Sequence, residues 1–256
     1  MPATHQPLSV AIITLNAASQ LEDCLKSARF ADDIVVVDSG STDDTQALAM
    51  RYGARVIDQP WLGFGPQKQF AVESAKHDWV LCLDADERVS PDLQESIEHA
   101  LREPVASAFR FPRCNNFLGR YLKHGEGYPD WSLRLFDRRH ARWSDDAVHE
   151  KVITEAAIGT LKGDLLHDSA ETLAAYLTKQ NRYTTLAAEM ALQAGKRASF
   201  ARIAFSPIVR FIKFYVIRQG FRDGLPGLIH IAIGCTNSFL KYAKMLERQK
   251  SDAALR

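Results

Sequence analysis

The stretch Trp79–Val80–Leu81–Cys82–Leu83–Asp84–Ala85–Asp86–Glu87 organises the reading of the whole chain. An apolar run of this length suits a strand buried on both faces of a parallel sheet. Ligands of open α/β sheets sit at the carboxyl ends of such strands, and Asp84, Asp86 and Glu87 emerge there. Crowded carboxylates repel one another, which raises the pKa of some of them unless a cation intervenes. A hard divalent ion with oxygen ligands relieves that repulsion and bridges to nucleotide phosphates. The other reading of the same residues is a solvated acidic loop ahead of a helix opened by Ser90–Pro91.

Outward from this strand the pattern repeats. Leu8 to Leu15 (LSVAIITL), Asp33 to Asp38 (DIVVVD) and the short Ala54 to Ile57 read as three earlier strands. Between them lie helical stretches with Leu21, Cys24, Leu25 and Ala28 at helical spacing, then Thr45 to about Tyr52 closed by Gly53, then Gln67 to Lys76. Strands alternating with helices predict βαβ units and a mostly parallel, Rossmann-like sheet with helices on both faces. No G-x-G-x-x-G follows the first strand, where Thr14–Leu15–Asn16–Ala17–Ala18 stands instead, so NAD or FAD binding by that route is rejected. Ala108 to Pro112, Trp131 to Phe136 and Lys151 to Ile153 read as extended, Asn115 to Pro129 as loop, and Ala170 to Gln193 as helix.

A chain of 256 residues accommodates one α/β domain with a substantial core and an appendage. Its net charge of +1 is unevenly placed: residues 196–256 carry 12 basic and 3 acidic residues, a net +9, and residues 1–195 a net −8. This divides the chain into an acidic catalytic body, 1–195, and a basic helical tail, 196–256, that meets something anionic. The four cysteines are scattered and fit a reducing compartment better than a disulfide framework or structural zinc. Met1 to Leu8 lacks an apolar run of the secretory kind, and nowhere do 18 apolar residues run together without charge. In the tail, Phe200 to Ile217 and Leu228 to Leu246 are apolar helices studded with Arg and Lys, separated by a break from Gly220 to Gly227. Such segments lie in membrane interfaces aided by anionic lipid. The alternative is a helical hairpin packed on the body or forming a homodimer.

The motifs, taken in order, resemble a known family. A strand ending in Thr14–Leu15–Asn16, a second ending in VVDSGSTDDT (Val36 to Thr45) and the Asp-x-Asp of LCLDADE (Leu81 to Glu87) are similar to the nucleotide-sugar half of glycosyltransferase family 2 proteins, which have a GT-A fold. Tyr128 to Phe136 (YPDWSLRLF), Val148–His149–Glu150, Leu166–His167 and Tyr215 to Leu228 (YVIRQGFRDGLPGL) resemble its lipopolysaccharide core β-1,4-glucosyltransferase-like branch from Gram-negative bacteria. The resemblance covers nearly the whole chain.

It implies a nucleotide-sugar site made of Thr14, Asn16, Asp38, Ser39, Lys68, Asp84 and Ala85. Asp38 would accept from uracil or ribose, or serve only as a turn aspartate. Lys68 would meet a phosphate, or stand solvated on the surface. Asp84 would bond the ribose or a metal-bound water. Asp86 would bind Mg²⁺ or Mn²⁺, with His167 as a further ligand or a purely structural histidine. Asp130 would be the general base, with Glu150 second; Arg134 would meet the diphosphate, hold Asp130 or form a structural ion pair. Trp131, Tyr128 and Trp143 would stack on sugars or belong to the core. Two departures from the family pattern stand out: Ala17–Ala18 where many members carry an acidic residue, and Pro129 in place of a glutamate.

The implied activity is inverting transfer of a sugar, glucose from UDP-glucose, to a lipid-linked saccharide such as the lipopolysaccharide inner core. It would take place on the cytoplasmic, anionic face of the bacterial inner membrane, with the enzyme bound peripherally and no nucleic acid involved. The same fold also serves heptosyl, galactosyl and polyprenyl-phosphate transferases. A nucleotidyltransferase is the rival of another class, but it would need a Gly-rich, basic loop after the first strand, and Thr14 to Ser19 has neither glycine nor lysine.

Overall fold

Apolar runs pair with one another in the interior. In the computed structural model, which describes residues 5–146, 150–169 and 172–254, four segments form adjacent parallel strands. These are β1 (Leu8–Thr14), β2 (Asp33–Asp38), β3 (Arg55–Asp58) and β4 (Trp79–Asp84), in the order β3-β2-β1-β4. Val10, Ile12, Leu81 and Leu83 face one side, where they pack with Leu21 and Leu25 of α1 (Ala18–Ser27) and Leu93 and Ile97 of α4 (Pro91–Arg102). Ala11, Val35, Val37 and Val80 face the other, against Ala71 and Val72 of α3 (Phe64–Glu73). The crossover between β2 and β3 is α2 (Thr45–Arg51), and Gly53 beyond it has φ +81°, the left-handed turn that ends a helix.

Beyond β4 the sheet continues antiparallel. β8 (Asp130–Asp137) pairs with β4, and β6 (Ala108–Phe117) pairs with β8, with a register shift between Phe109 and Arg110. Then come β12 (Leu165–His167) and β5 (Glu87–Val89), which is the short return of the chain after Asp84–Ala85–Asp86. A separate hairpin joins β9 (Ala141–Trp143) to β10 (Val152–Thr154), and β11 (Ile158–Thr160) lies parallel to β6. The result is the expected mixed, mostly parallel sheet with helices on both faces. One expectation changes: β6 runs to Phe117 and pairs there with β7 (Arg120–Tyr121), so part of the segment expected to be loop is ladder.

Contacts divide the chain into two compact units, Met1–Cys114 with Asp130–Asp168, and Asn115–Pro129 with Ser169–Arg256. The second unit therefore gathers α5 (Leu173–Gln193) with the tail, a different division from the charge-based one at 195. Ala188 and Ala191 of α5 close on Met245 of α7 (Gly224–Ala254) and form its small core. The stretch expected as one helix from Phe200 to Ile217 is α6 (Phe200–Phe211) followed by a π-helical segment, Ile212–Ile217, and a 3₁₀ turn, Gly220–Asp223. Among the described residues no helix is long and apolar enough to cross a membrane.

Candidate active site

Parallel strands deliver their last residues to one sheet edge. Thr14 stands beside Asp38 and Ile13 beside Asp84 in the register, so the three motif-bearing strand ends meet there. The loop after β2 is wound around Asp38. This carboxylate is fully buried and accepts from Thr14 Oγ1 (2.8 Å), Gly40 N, Ser41 N, Ser41 Oγ and Gln46 Nε2. Burial raises its pKa, but the bonds from Gln46, Ser41 and Thr14 outweigh that and leave it lowered. Asp38 is thus saturated by its own chain in the manner of a turn aspartate. Asn16, at φ +49°, donates its backbone N–H to Ser41 Oγ and accepts from Thr42 N through Oδ1. Thr45 Oγ1 and Asp43 accept from the N–H groups of Ala17 and Ala18, which caps α1 from outside its own sequence. Ser39 is held by Gln67, whose Nε2 donates to its hydroxyl.

Next to this loop lies a knot of opposite charges. Lys68, in the second turn of α3, is buried rather than solvated. Its Nζ is 3.1 Å from Asp84 Oδ1, 3.2 Å from Glu150 Oε1 and 4.8 Å from the centre of the Trp143 ring. Arg134 of β8 reaches Asp84 Oδ2 (2.9 Å) and Glu87 Oε1 (3.3 Å) through Nη2 and covers the other part of Trp143. Burial alone would push the Asp84 carboxyl up; Arg134 and Lys68 outweigh it and hold the group below the usual carboxylate range. Arg134 Nη1 is buried with no hydrogen-bond partner among the described residues, a donor open to an incoming oxygen. Trp143 is core: it is buried, and its Nε1 donates to Cys82 Sγ. Trp131 is half-exposed, with the Arg110 guanidinium over its ring.

Asp86 and His167, both expected at a metal, lie side by side. The antiparallel pairing of β12 with β5 sets His167 opposite Glu87, and its Nε2 lies 3.2 Å from Asp86 Oδ2. The backbone agrees, since Asp168 N donates to Asp86 O. A carboxylate and an imidazole facing one another fit a hard divalent ion that takes its remaining ligands from phosphate and water. Among the described residues no group of three or more His, Cys, Asp or Glu is arranged to hold a metal ion.

The expectation that Arg134 holds Asp130 is corrected. Asp130 is held by Arg113, which donates to its Oδ2 from Nε (2.9 Å) and Nη2 (2.8 Å) and reaches Glu87 from Nη1. Arg134 is spent on Asp84 and Glu87 because β8 places it four residues deeper in the sheet than Asp130. Glu150 is the counter-ion of Lys68; Val148 and His149 lie outside the described residues. Neither Glu87 nor Arg113 is given a role of its own by the sequence. Glu87 is fully buried and also accepts the Asp84 N–H. Its only signal was a third acid after Asp-x-Asp. Arg113 had none, since its role follows from strand register.

A family model described as glycosyl transferase family 2 matches residues 9–158, more than half of the chain. The chain belongs to this family. Over 250 residues, 94% of this chain and 93% of the relative, it is 34% identical to the lipopolysaccharide core biosynthesis glycosyltransferase LpsC of Rhizobium meliloti (strain 1021). Among solved structures it is similar to S. aureus TarS 1–349 in complex with UDP-GlcNAc, with a TM-score of 0.49 and 14% identity over 97% of this chain and 92% of that one. It is also similar to glucosyl-3-phosphoglycerate synthase from Mycobacterium tuberculosis in complex with Mn²⁺, UDP and phosphoglyceric acid, with a TM-score of 0.39 and 21% identity over 52% and 56% of the two chains.

Proposed function

We propose that this glycosyltransferase moves glucose from UDP-glucose, with inversion, onto the inner core of lipopolysaccharide. The observation that carries the reading is the meeting of Asp86, His167, Asp84, Lys68 and Arg134 at the edge where β1, β2 and β4 end. The relative's role in lipopolysaccharide core biosynthesis supports the acceptor class.

Asp86 and His167 would hold Mg²⁺ or Mn²⁺, which when bound supplies Lewis-acid stabilisation of the diphosphate leaving group. Arg134 Nη1 offers a buried donor to a diphosphate oxygen. Asn16, Ser39 and Ala85 border the nucleotide, and Asp38 shapes that border through the 39–45 loop rather than by touching the base. Asp130 takes the proton of the acceptor hydroxyl. One of its oxygens is held by Arg113, and its side chain is 40% exposed, whereas Glu150 is 20% exposed and tied to Lys68. The protein binds peripherally to an anionic membrane surface through the apolar, basic face of α6 and the π-helical segment, at the cytoplasmic side of the inner membrane. A heptosyl, galactosyl or polyprenyl-phosphate transferase would use the same donor edge.

Calorimetric titration with UDP, GDP and ADP, each with Mn²⁺, Mg²⁺ or chelator, tests the reading. UDP binding that needs metal and is lost in Asp86→Ala is the expected result. A preference for GDP or ADP redirects the donor, and absence of nucleotide binding removes the enzyme reading.

A further inference from the structure

The sequence Gly220–Phe221–Arg222–Asp223–Gly224–Leu225–Pro226–Gly227 plays no part in the donor site, yet it keeps a carboxylate, Asp223, at 1% exposure. A buried charge is costly unless it is paired and hydrogen-bonded. Asp223 is paired with His124. The His124 backbone N–H donates to Oδ2 at 2.7 Å, and its ring Nδ1 lies 3.0 Å from Oδ1, with Arg120 Nε at 3.8 Å. The contact of Nδ1 with this carboxylate fixes the ring orientation and turns Nε2 away from it.

The backbone around this pair is drawn tight. A Cβ on Gly220 would meet Ile231 Cδ1 at 2.3 Å and Phe214 O at 2.7 Å, and one on Gly227 would meet Asp223 Cβ at 2.7 Å. Gly125 N donates to Arg218 O at 2.9 Å, and Gln219 sits at φ +54°, where a side chain is disfavoured. This construction brings two segments distant in sequence, 123–129 and 217–223, into one place. Between them opens a cleft of about 280 Å³ lined by Lys123, His124, Tyr128, Ile217, Arg218 and neighbouring backbone. Among the described residues that line it there is no carboxylate; its basic groups besides Lys123 are His124 and Arg218, whose Nη2 also donates to Tyr128 O at 2.8 Å. Next to it in the chain stand exposed apolar side chains, Ile217 at 71%, Phe221 at 51% and Leu225 at 67%. A cationic cleft bordered by apolar surface suits the anionic head of an amphipathic molecule.

We infer that this cleft is an acceptor subsite that takes an anionic group, a phosphate or a sugar carboxylate, on the lipid-linked saccharide. Arg218 supplies the charge, and Asp223 is a positioning residue that orients His124 toward the group. The inference rests on the acceptor class proposed above and gives the Gly220–Gly227 segment a function that folding alone does not require.

The test is direct binding of the full chain to deacylated core oligosaccharide, compared with the same saccharide after dephosphorylation and methyl esterification of its carboxylates. The wild type is expected to bind the native form at least about tenfold more tightly, the range of a charge-assisted contact. Arg218→Gln is expected to lose most of that preference while UDP binding stays unchanged, and Arg218→Lys, which keeps the charge, to retain part of it. Asp223→Asn should lower it as His124→Gln does, and the two together should cost no more than one alone. Variants that keep the wild-type preference would overturn the assignment, as would a wild type that binds both forms alike or neither. Loss of binding of Arg218→Gln to phosphatidylglycerol vesicles, with the saccharide preference intact, would assign the cleft to a bilayer phosphate and overturn it too. Failure of UDP binding is a separate outcome: it removes the transferase reading and leaves the saccharide result standing by itself.

Discussion

Arg113 stands directly opposite Asp130 in the β6–β8 ladder and holds one carboxylate oxygen, Oδ2, from two nitrogens at 2.9 and 2.8 Å. The same guanidinium touches Glu87, which in turn receives Arg134 and the backbone of Asp84. The candidate base and the Asp-x-Asp turn are therefore parts of one ion network, with alternating charges from Asp130 to Lys68.

That arrangement predicts unequal effects of two isosteric changes. Asp130→Asn is expected to lower kcat about 10²–10⁴-fold, the usual worth of a general base, with UDP affinity unchanged. Glu150→Gln should cost much less in kcat and act through Lys68. Steady-state kinetics with a lipopolysaccharide acceptor decides between them, and a deeper loss in Glu150→Gln would exchange their roles. An enzyme that transfers to a lipid phosphate would tolerate Asp130→Asn.

Removing the centre of the network has a different signature. Arg134→Met leaves Glu87 fully buried and Asp84 partly buried without their main cation, a change that costs about 3–5 kcal/mol. Urea unfolding should show this as a lower midpoint at unchanged slope. Adding Glu87→Gln should return part of the loss, because a neutral amide no longer needs the missing charge.

Acid sensitivity should come in part from Asp33, at the start of β2. Burial works against its charge, but Arg55 Nε, the Lys76 N–H and Ser9 Oγ bring its pKa down to about 2. Its folded pKa lies below the unfolded one, so the stabilisation is complete above about pH 4 and is lost as the pH falls toward 2. Arg55 is 45% exposed, which screens the pair, and the contribution is about 1–2 kcal/mol. The stability difference between wild type and Asp33→Asn should shrink to nothing over that interval in pH-dependent unfolding.

The tail carries Phe205, Val209, Ile212 and Val216 exposed beside Arg202 and Lys213. Sedimentation with phosphatidylglycerol vesicles should retain the wild type at low salt and release it as salt rises. Val209→Ser with Val216→Ser should weaken retention, and Lys213→Glu should weaken it about fivefold or more, since each basic residue near such a surface contributes about 1 kcal/mol. Equal retention of all three proteins would mean that this face is not the one that meets lipid.

The sequence by itself determined the sheet and its functional edge. Runs such as LSVAIIT and WVLCLD leave no solvent-facing side, which requires parallel strands covered by helices, and parallel strands must end together. Thr14, Asp38 and Asp84 were therefore legible as neighbours, and the Asp-x-Asp turn as the place of chemistry. The second unit was harder to read. Its helices are apolar and charged on overlapping faces, so neither the π-helical segment nor the reach of α7 back to Gly224 follows from periodicity.

What only the tertiary structure decided is which charge meets which. Asp38 could be read as a ligand contact or as a turn aspartate, and it is consumed by five donors from Thr14, Gly40, Ser41 and Gln46. Lys68 could be read as a phosphate contact or as a solvated lysine, and it is buried between two carboxylates. Arg113 carried no signal at all, yet it holds Asp130, because the antiparallel register of β6 on β8 sets the two opposite one another. The apolar pattern specifies which residues are buried. Partner choice among buried charges depends on strand register and side-chain reach over distances of 3 Å, and residues from 17 to 82 positions apart in the chain share those contacts.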